Sequence, residues 1–107
     1  MTIAESLKAA YEVCHPPYKG TARKYITYQL MGQTGVLYAE GTEQETGVMY
    51  SVDFYTDALP FADDVRNIKS MLAAGGWNTV VNAEIYEKDT GLHHIAMSAT
   101  REGAIYG

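Results

Sequence analysis

The stretch Val48 to Thr56, "VMYSVDFYT", constrains the fold more than any other part of the chain. Val48, Tyr50, Val52 and Phe54 alternate with Met49, Ser51, Asp53 and Tyr55, a period of two that a helix cannot use. It predicts a strand with one face in a core, and a strand commits the chain to a sheet. "KYITYQL" repeats the pattern, with Ile26, Tyr28 and Leu30 set against Tyr25, Thr27 and Gln29. Trp77 to Glu87 alternates again, with Trp77, Val81, Ala83 and Ile85 expected inward and Asn78, Asn82, Glu84 and Tyr86 outward. The last strand, from Leu92 to about Arg101, turns Ile95, Met97 and Ala99 to the core. "VLYAE" reads as one more short strand after the break "MGQTG", and "EGTEQETG" as an exposed acidic loop.

Two segments carry helical spacing instead. Thr2 and Glu5 have the capping-box offset, and Ile3, Leu7, Ala10, Tyr11 and Cys14 share one stripe. A helix is therefore expected from Thr2 to about Cys14, stopped by Pro16 and Pro17. A second is expected over Pro60 to Ala74, with Pro60, Asp63 and Asp64 in its first turn. Its apolar stripe is Phe61, Val65, Ile68 and Leu72, and Gly75-Gly76 is its stop. The order is α-β-β-β-α-β-β. Short connections favour antiparallel neighbours, giving an α+β fold: a twisted, mainly antiparallel sheet of four to five strands with two helices on one face. At 107 residues this is a single domain, residues 1–107. Its expected core includes Val52, Phe54, Ile68, Leu72, Ile85 and Met97.

Composition narrows the function classes. No apolar run approaches the ~20 residues of a membrane span, so no membrane partner is expected. The amphipathic N-terminus lacks the apolar centre of a signal peptide. A lone Cys14 fits a reducing compartment and, on a helix stripe, reads as a small hydrophobe. Net charge of −5 argues against sequence-specific nucleic-acid binding. Lys19, Arg23 and Lys24 form a local basic patch in the loop from His15 to Lys24.

The chemical motifs reduce to structure. Asp89-Thr90-Gly91 has the letters of an aspartic-protease loop, but it follows Glu87 and Lys88, and only 16 residues come after Gly91. Between two alternating segments it is a hairpin turn. His93 and His94 are neighbours on a strand, so they point to opposite faces and cannot chelate one ion together. No phosphate-cradling loop or serine triad is visible. No catalytic, metal or cofactor site is expected.

"YITYQL", "LYAEGTEQETG", "YSVDFYT", a helix ending "LAAGGW" and "EIYEKDTGLHHIAMSA" together resemble the tail-terminator (tail-completion) proteins of long-tailed bacteriophages and prophages. The resemblance spans about Tyr25 to Ala99. It is most specific at Tyr50 to Tyr55 and at the hairpin Tyr86-Glu87-x-Asp89-Thr90-Gly91-Leu92-x-His94. It implies a homo-oligomeric ring, commonly a hexamer, that caps the tail tube protein and meets the head-side connector proteins, with its lumen open to DNA. It implies no enzymatic activity and no cofactor. The site would be the head–tail junction of the virion, reached from the host cytoplasm during assembly.

A ring protomer needs two unlike contact surfaces. Tyrosine suits such surfaces, and there are nine. The outward phase places Tyr55, Tyr86 and Met49 as interface candidates, with Tyr38, Glu43 and Glu45 behind them. Glu40, Glu43 and Glu45 are candidates for an acidic lumen loop. Two other readings fit the same residues. One is a small α+β ligand-binding domain or enzyme with a pocket around Tyr28, Tyr50 and His94. The other is a different phage position, such as a head-completion factor or the tube subunit.

Overall fold

The computed structural model describes residues 1–37 and 43–102, with side chains described for 1–32 and 47–101. The elements run α1 (Ile3–Leu7), β1 (Val13–Cys14), β2 (Lys24–Leu37), β3 (Glu43–Thr56), α2 (Ala62–Ala74), β4 (Asn78–Glu87) and β5 (Leu92–Glu102). The fold is α+β with the expected element order. One mixed sheet holds the strands in the order β1-β2-β3-β5-β4, parallel at β1-β2 and antiparallel elsewhere.

The elements differ from expectation at several bounds, and α2 begins at Ala62, after Pro60 rather than with it. α1 has the capping box of Thr2 and Glu5 but ends at Leu7 rather than near Cys14. Val13 and Cys14 leave it to pair with Ile26 and Thr27, an interaction that local spacing cannot report. "VLYAE" is not a separate strand as far as Leu37. β2 absorbs the extra Met31 as a bulge and continues to Leu37, which pairs with Glu43. Glu43 and Glu45 therefore lie in β3 and not in a loop; Glu40 and Tyr38 fall outside the described residues.

α2 ends as its glycines predict. Gly76 N–H donates to Ala73 O and Trp77 N–H to Leu72 O, the paired bonds of a Schellman stop, with Gly76 at φ 95°. The chain then leads Trp77 into the core, where its Nε1–H donates to Met1 O at 3.0 Å and Arg101 stacks over its ring.

The core lies between the helices and one sheet face. Ile3, Leu7, Ile68 and Leu72 meet Ile26, Val48, Val52, Phe54, Ile95, Met97 and Ala99, all buried. Tyr11 packs edge-on to Phe54 and donates its hydroxyl to Asp64 at 2.8 Å. Burial lifts the Tyr11 phenol to about 12, and its bond to Asp64 adds to the rise. Of the six expected core residues, Ile85 is the exception and is 48% exposed.

β4 explains that exception. Val81 pairs with Met97 but Ala83 with Ala96, so Asn82 is an extra residue. The bulge reverses the phase of everything after it. Ile85 then pairs with His94 on the open face, while Tyr86 pairs with His93 on the helix side. Both placements invert the uninterrupted alternation read from the sequence.

Candidate interaction surface

The registers align the open face of the sheet into ranks. Tyr25, Tyr55, His94 and Ile85 form one; Thr27, Asp53, Ala96 and Ala83 the next. Gln29, Ser51, Ser98 and Val80 follow, then Gly32, Met49, Thr100 and Asn78. These four ranks contain no lysine or arginine. Beyond the first rank their side chains are mostly small or polar, and among the described residues no helix packs over them.

The first rank is built from stacked rings. Tyr18 leans from the 15–23 loop onto Tyr25 at 3.7 Å between centroids, Tyr25 stacks on Tyr55 at 4.7 Å, and Tyr55 on His94 at 4.4 Å. Alternation puts Tyr25 and Tyr55 on one face, and the antiparallel register makes them direct neighbours. Tyr55 is thus clamped between two rings, and only its edge is available to a partner. Burial, followed by the charge of Asp53, raises its phenol to about 12.

His94 is held from both sides. Its Nε2 lies 2.7 Å from Asp53 Oδ1 and its Nδ1 lies 3.5 Å from Glu87 Oε2. Ser51 donates its hydroxyl to the other Asp53 oxygen at 2.7 Å. The carboxylate stands between serine and histidine, whereas nucleophilic catalysis needs the histidine between the other two. The cluster orients a ring; it does not activate a nucleophile. Among the described residues, no three His, Cys, Asp or Glu side chains form a group able to hold a metal ion.

The remaining motif residues take structural places. Asp89-Thr90-Gly91 closes the β4-β5 hairpin, with Gly91 at φ 73° and its N–H donated to Glu87 O at 2.8 Å. His93 and His94 do face opposite sides; His93 lies between Phe61 and Tyr86 on the helix side. Cys14 is half-buried, and its burial pushes the thiol up, away from nucleophilic character. Asp63 pairs with Arg66, and Asp64 with Lys24 at 3.0 Å.

A tyrosine-lined pocket at Tyr28, Tyr50 and His94 does not form. Tyr28 and Tyr50 lie together on the helix side, 6.2 Å apart, and His94 is across the sheet. A cavity does open between the 15–23 loop and the hairpin turn, lined by Tyr18, Arg23, Tyr25, Thr90 and Leu92. Its volume is about 230 Å³, below the ~300–1,000 Å³ of typical ligand pockets. Arg23 is already committed there, to Asp57 at 3.2 Å and to Thr90 O at 2.8 Å.

The interface candidates divide accordingly. Met49 is half-buried on the open face, Tyr55 is locked in the stack, and Tyr86 is 55% exposed on the helix side. The side chains of Glu43 and Glu45, and all of Tyr38, lie outside the described residues. Sequence reasoning missed the exposed pair on the open face of β4, Val80 and Ile85 at 60% and 48%. Its only signal was the polar Asn82 interrupting an apolar run. No family model matches the chain, and no curated protein matches it in sequence.

Proposed function

We propose that this chain is a structural protein of a long-tailed phage or prophage, a tail terminator whose ring caps the tail tube and docks it to the head-side connector. One observation carries the reading beyond the sequence resemblance: the sheet is a two-sided wall. One face is covered by α1 and α2 over the core, and the other is free of lysine and arginine over four ranks and mostly small or polar beyond the first. A channel wall for DNA needs such an inner surface. Cationic side chains would bind each phosphate and release counterions, whereas Asp53 and Glu87 leave the polyanion mobile.

The β2-β3 ribbon supports assembly as well. Among the described residues, the pairs of Gly35, Val36 and Leu37 with Thr46, Glu45 and Glu43 lie beyond the last β3-β5 pair at Gly47. A two-stranded ribbon is marginal by itself and gains its stability from a third layer or strand. A ring neighbour supplies one.

The test is deletion of the gene from its phage or prophage, with complementation in trans. Heads left unjoined and tails of irregular length, restored by the intact gene, are expected. Infectious particles of normal structure from the deletion would sink the proposal.

A further inference from the structure

Among the described residues, the sheet has two open edges. β4 is the last strand on one side throughout Asn78–Glu87. On the other side β1 covers β2 only at Ile26 and Thr27, and the His15 ring lies 3.0 Å from Tyr28 O. From Gln29 to Leu37, β2 has no strand on that side among the described residues.

These edges suit one another. Three antiparallel steps separate β2 from β4, so the two run in opposite directions. Copies set side by side in one orientation bring them together as an antiparallel pair. The backbone phase agrees. Ile26 N–H donates to Glu12 O, away from β3, so alternation aims the backbone groups of Leu30 at the same free edge. Carried across the registers, the same alternation aims those of Glu84 and Tyr86 at the opposite edge. Leu30 and Tyr86 both lie on the helix side, 41% and 55% exposed. Met31 and Ile85 beside them are exposed apolar residues too.

We infer that copies of this chain join head to tail, β4 of one protomer adding antiparallel to β2 of the next, with Tyr86 beside Leu30. The inference deepens the ring reading and rests on its self-assembly, not on the tail.

The geometry closes. Within one chain Tyr86 is level with Lys24, through His93 and Thr56. Pairing Tyr86 with Leu30 instead shifts each copy by about six residues, roughly 20 Å. Four strands at ~4.8 Å spacing occupy roughly 19 Å of sheet width per copy. Those lengths tilt the strands about 45° from the ring axis, at the upper end of the range for closed barrels. β1 and His15 act as a step that blocks the unstaggered arrangement, so the stagger has one direction. The right-handed twist of strands closes a stagger of that direction with the helices outside and the Asp53 face inside. The β2 edge from Gln29 onward gains a neighbouring strand. A two-fold pairing of β4 with β4 would leave the β2 edge bare.

Cysteine cross-linking tests the contact in the full chain carrying Cys14→Ser. Under oxidation at high protein concentration, the Leu30→Cys/Tyr86→Cys variant is expected to give a ladder of disulfide-linked oligomers ending in a closed species by native mass spectrometry. The two single variants are expected to link only when mixed. Glu84→Pro removes an N–H that faces the free edge, so it keeps the melting curve while lowering cross-linking about tenfold or more, because main-chain hydrogen bonds carry such contacts. Monomer alone from the double variant, dimers from Tyr86→Cys by itself, or undiminished linkage with Glu84→Pro would each overturn the inference. Rings that cross-link yet leave tail tubes uncapped would remove the tail reading and keep the edge contact. Capping by a protein whose edges do not cross-link would do the reverse.

Discussion

β3 and β4 have similar sequence patterns and opposite fates. Each alternates apolar and polar residues, and each borders β5. In β3, Val48, Val52 and Phe54 are buried, because β2 and β5 flank the strand and the helices cover its apolar face. In β4, Val80, Val81, Ile85 and Tyr86 are all exposed by 42% or more. The pattern states which residues share a face. Whether a face is covered depends on where the strand falls in the sheet.

The largest effect expected from this contrast is at Phe54. Phe54→Ala opens a cavity against Tyr11 and should cost about 3–5 kcal/mol in urea denaturation. An unchanged midpoint would place the helix-side core elsewhere. Tyr55→Ala comes next, at about 2 kcal/mol, because it removes the middle ring of a stack while the site is partly wet. That variant weakens the protomer itself, so Tyr86→Ala is the better probe of a partner contact.

Alkaline pH probes the same covered positions. Tyr11 and Tyr55 have phenols raised to about 12 in the folded chain, against about 10 when unfolded. A raised folded value stabilises below the unfolded one, so stability is complete below pH ~10 and falls as pH rises toward ~12. Absorbance near 295 nm should show a late ionisation coinciding with loss of circular dichroism. Tyr11→Phe or Tyr55→Phe should shrink that late step; a single early titration of every tyrosine would contradict both environments.

Smaller effects belong to β4. Deleting Asn82 should cost about 1 kcal/mol, the worth of its bond to Ser98, since pairing on either side already skips it. A collapse of the fold on this deletion would show the bulge to be essential. Ile85→Ala should change stability by less than about 0.5 kcal/mol, as exposed positions do. A loss matching Phe54→Ala would erase the distinction between the strands.

Much of this was readable locally. The capping box at Thr2 and Glu5, the α2 stop at Gly75-Gly76 and the Gly91 turn all depend on residues within a few positions of each other, and the structure has them. So does the alternation of β3 and β5. The end of α1 was not readable, because Val13 answers to Ile26 rather than to its neighbours. Nor was the continuation of β2 through Met31, where cross-strand pairing overrides the signal of Gly32 and Gly35. The candidate surface was legible to a similar degree: Tyr25 and Tyr55 show their phase, but their stacking requires register.

The sequence by itself determined the α+β class, the element order, the stop of α2, the Gly91 turn, and which side chains of each uninterrupted strand share a face. These follow from backbone sterics and short-range hydrogen bonds. The tertiary structure alone decided that β4 lies at an edge, that Asn82 turns Ile85 out and Tyr86 over, and that Asp53 and Glu87 bracket His94. Those outcomes depend on which distant strands pair and what covers them. Their free energy comes from buried area and long-range hydrogen bonds, summed over residues far apart in the chain.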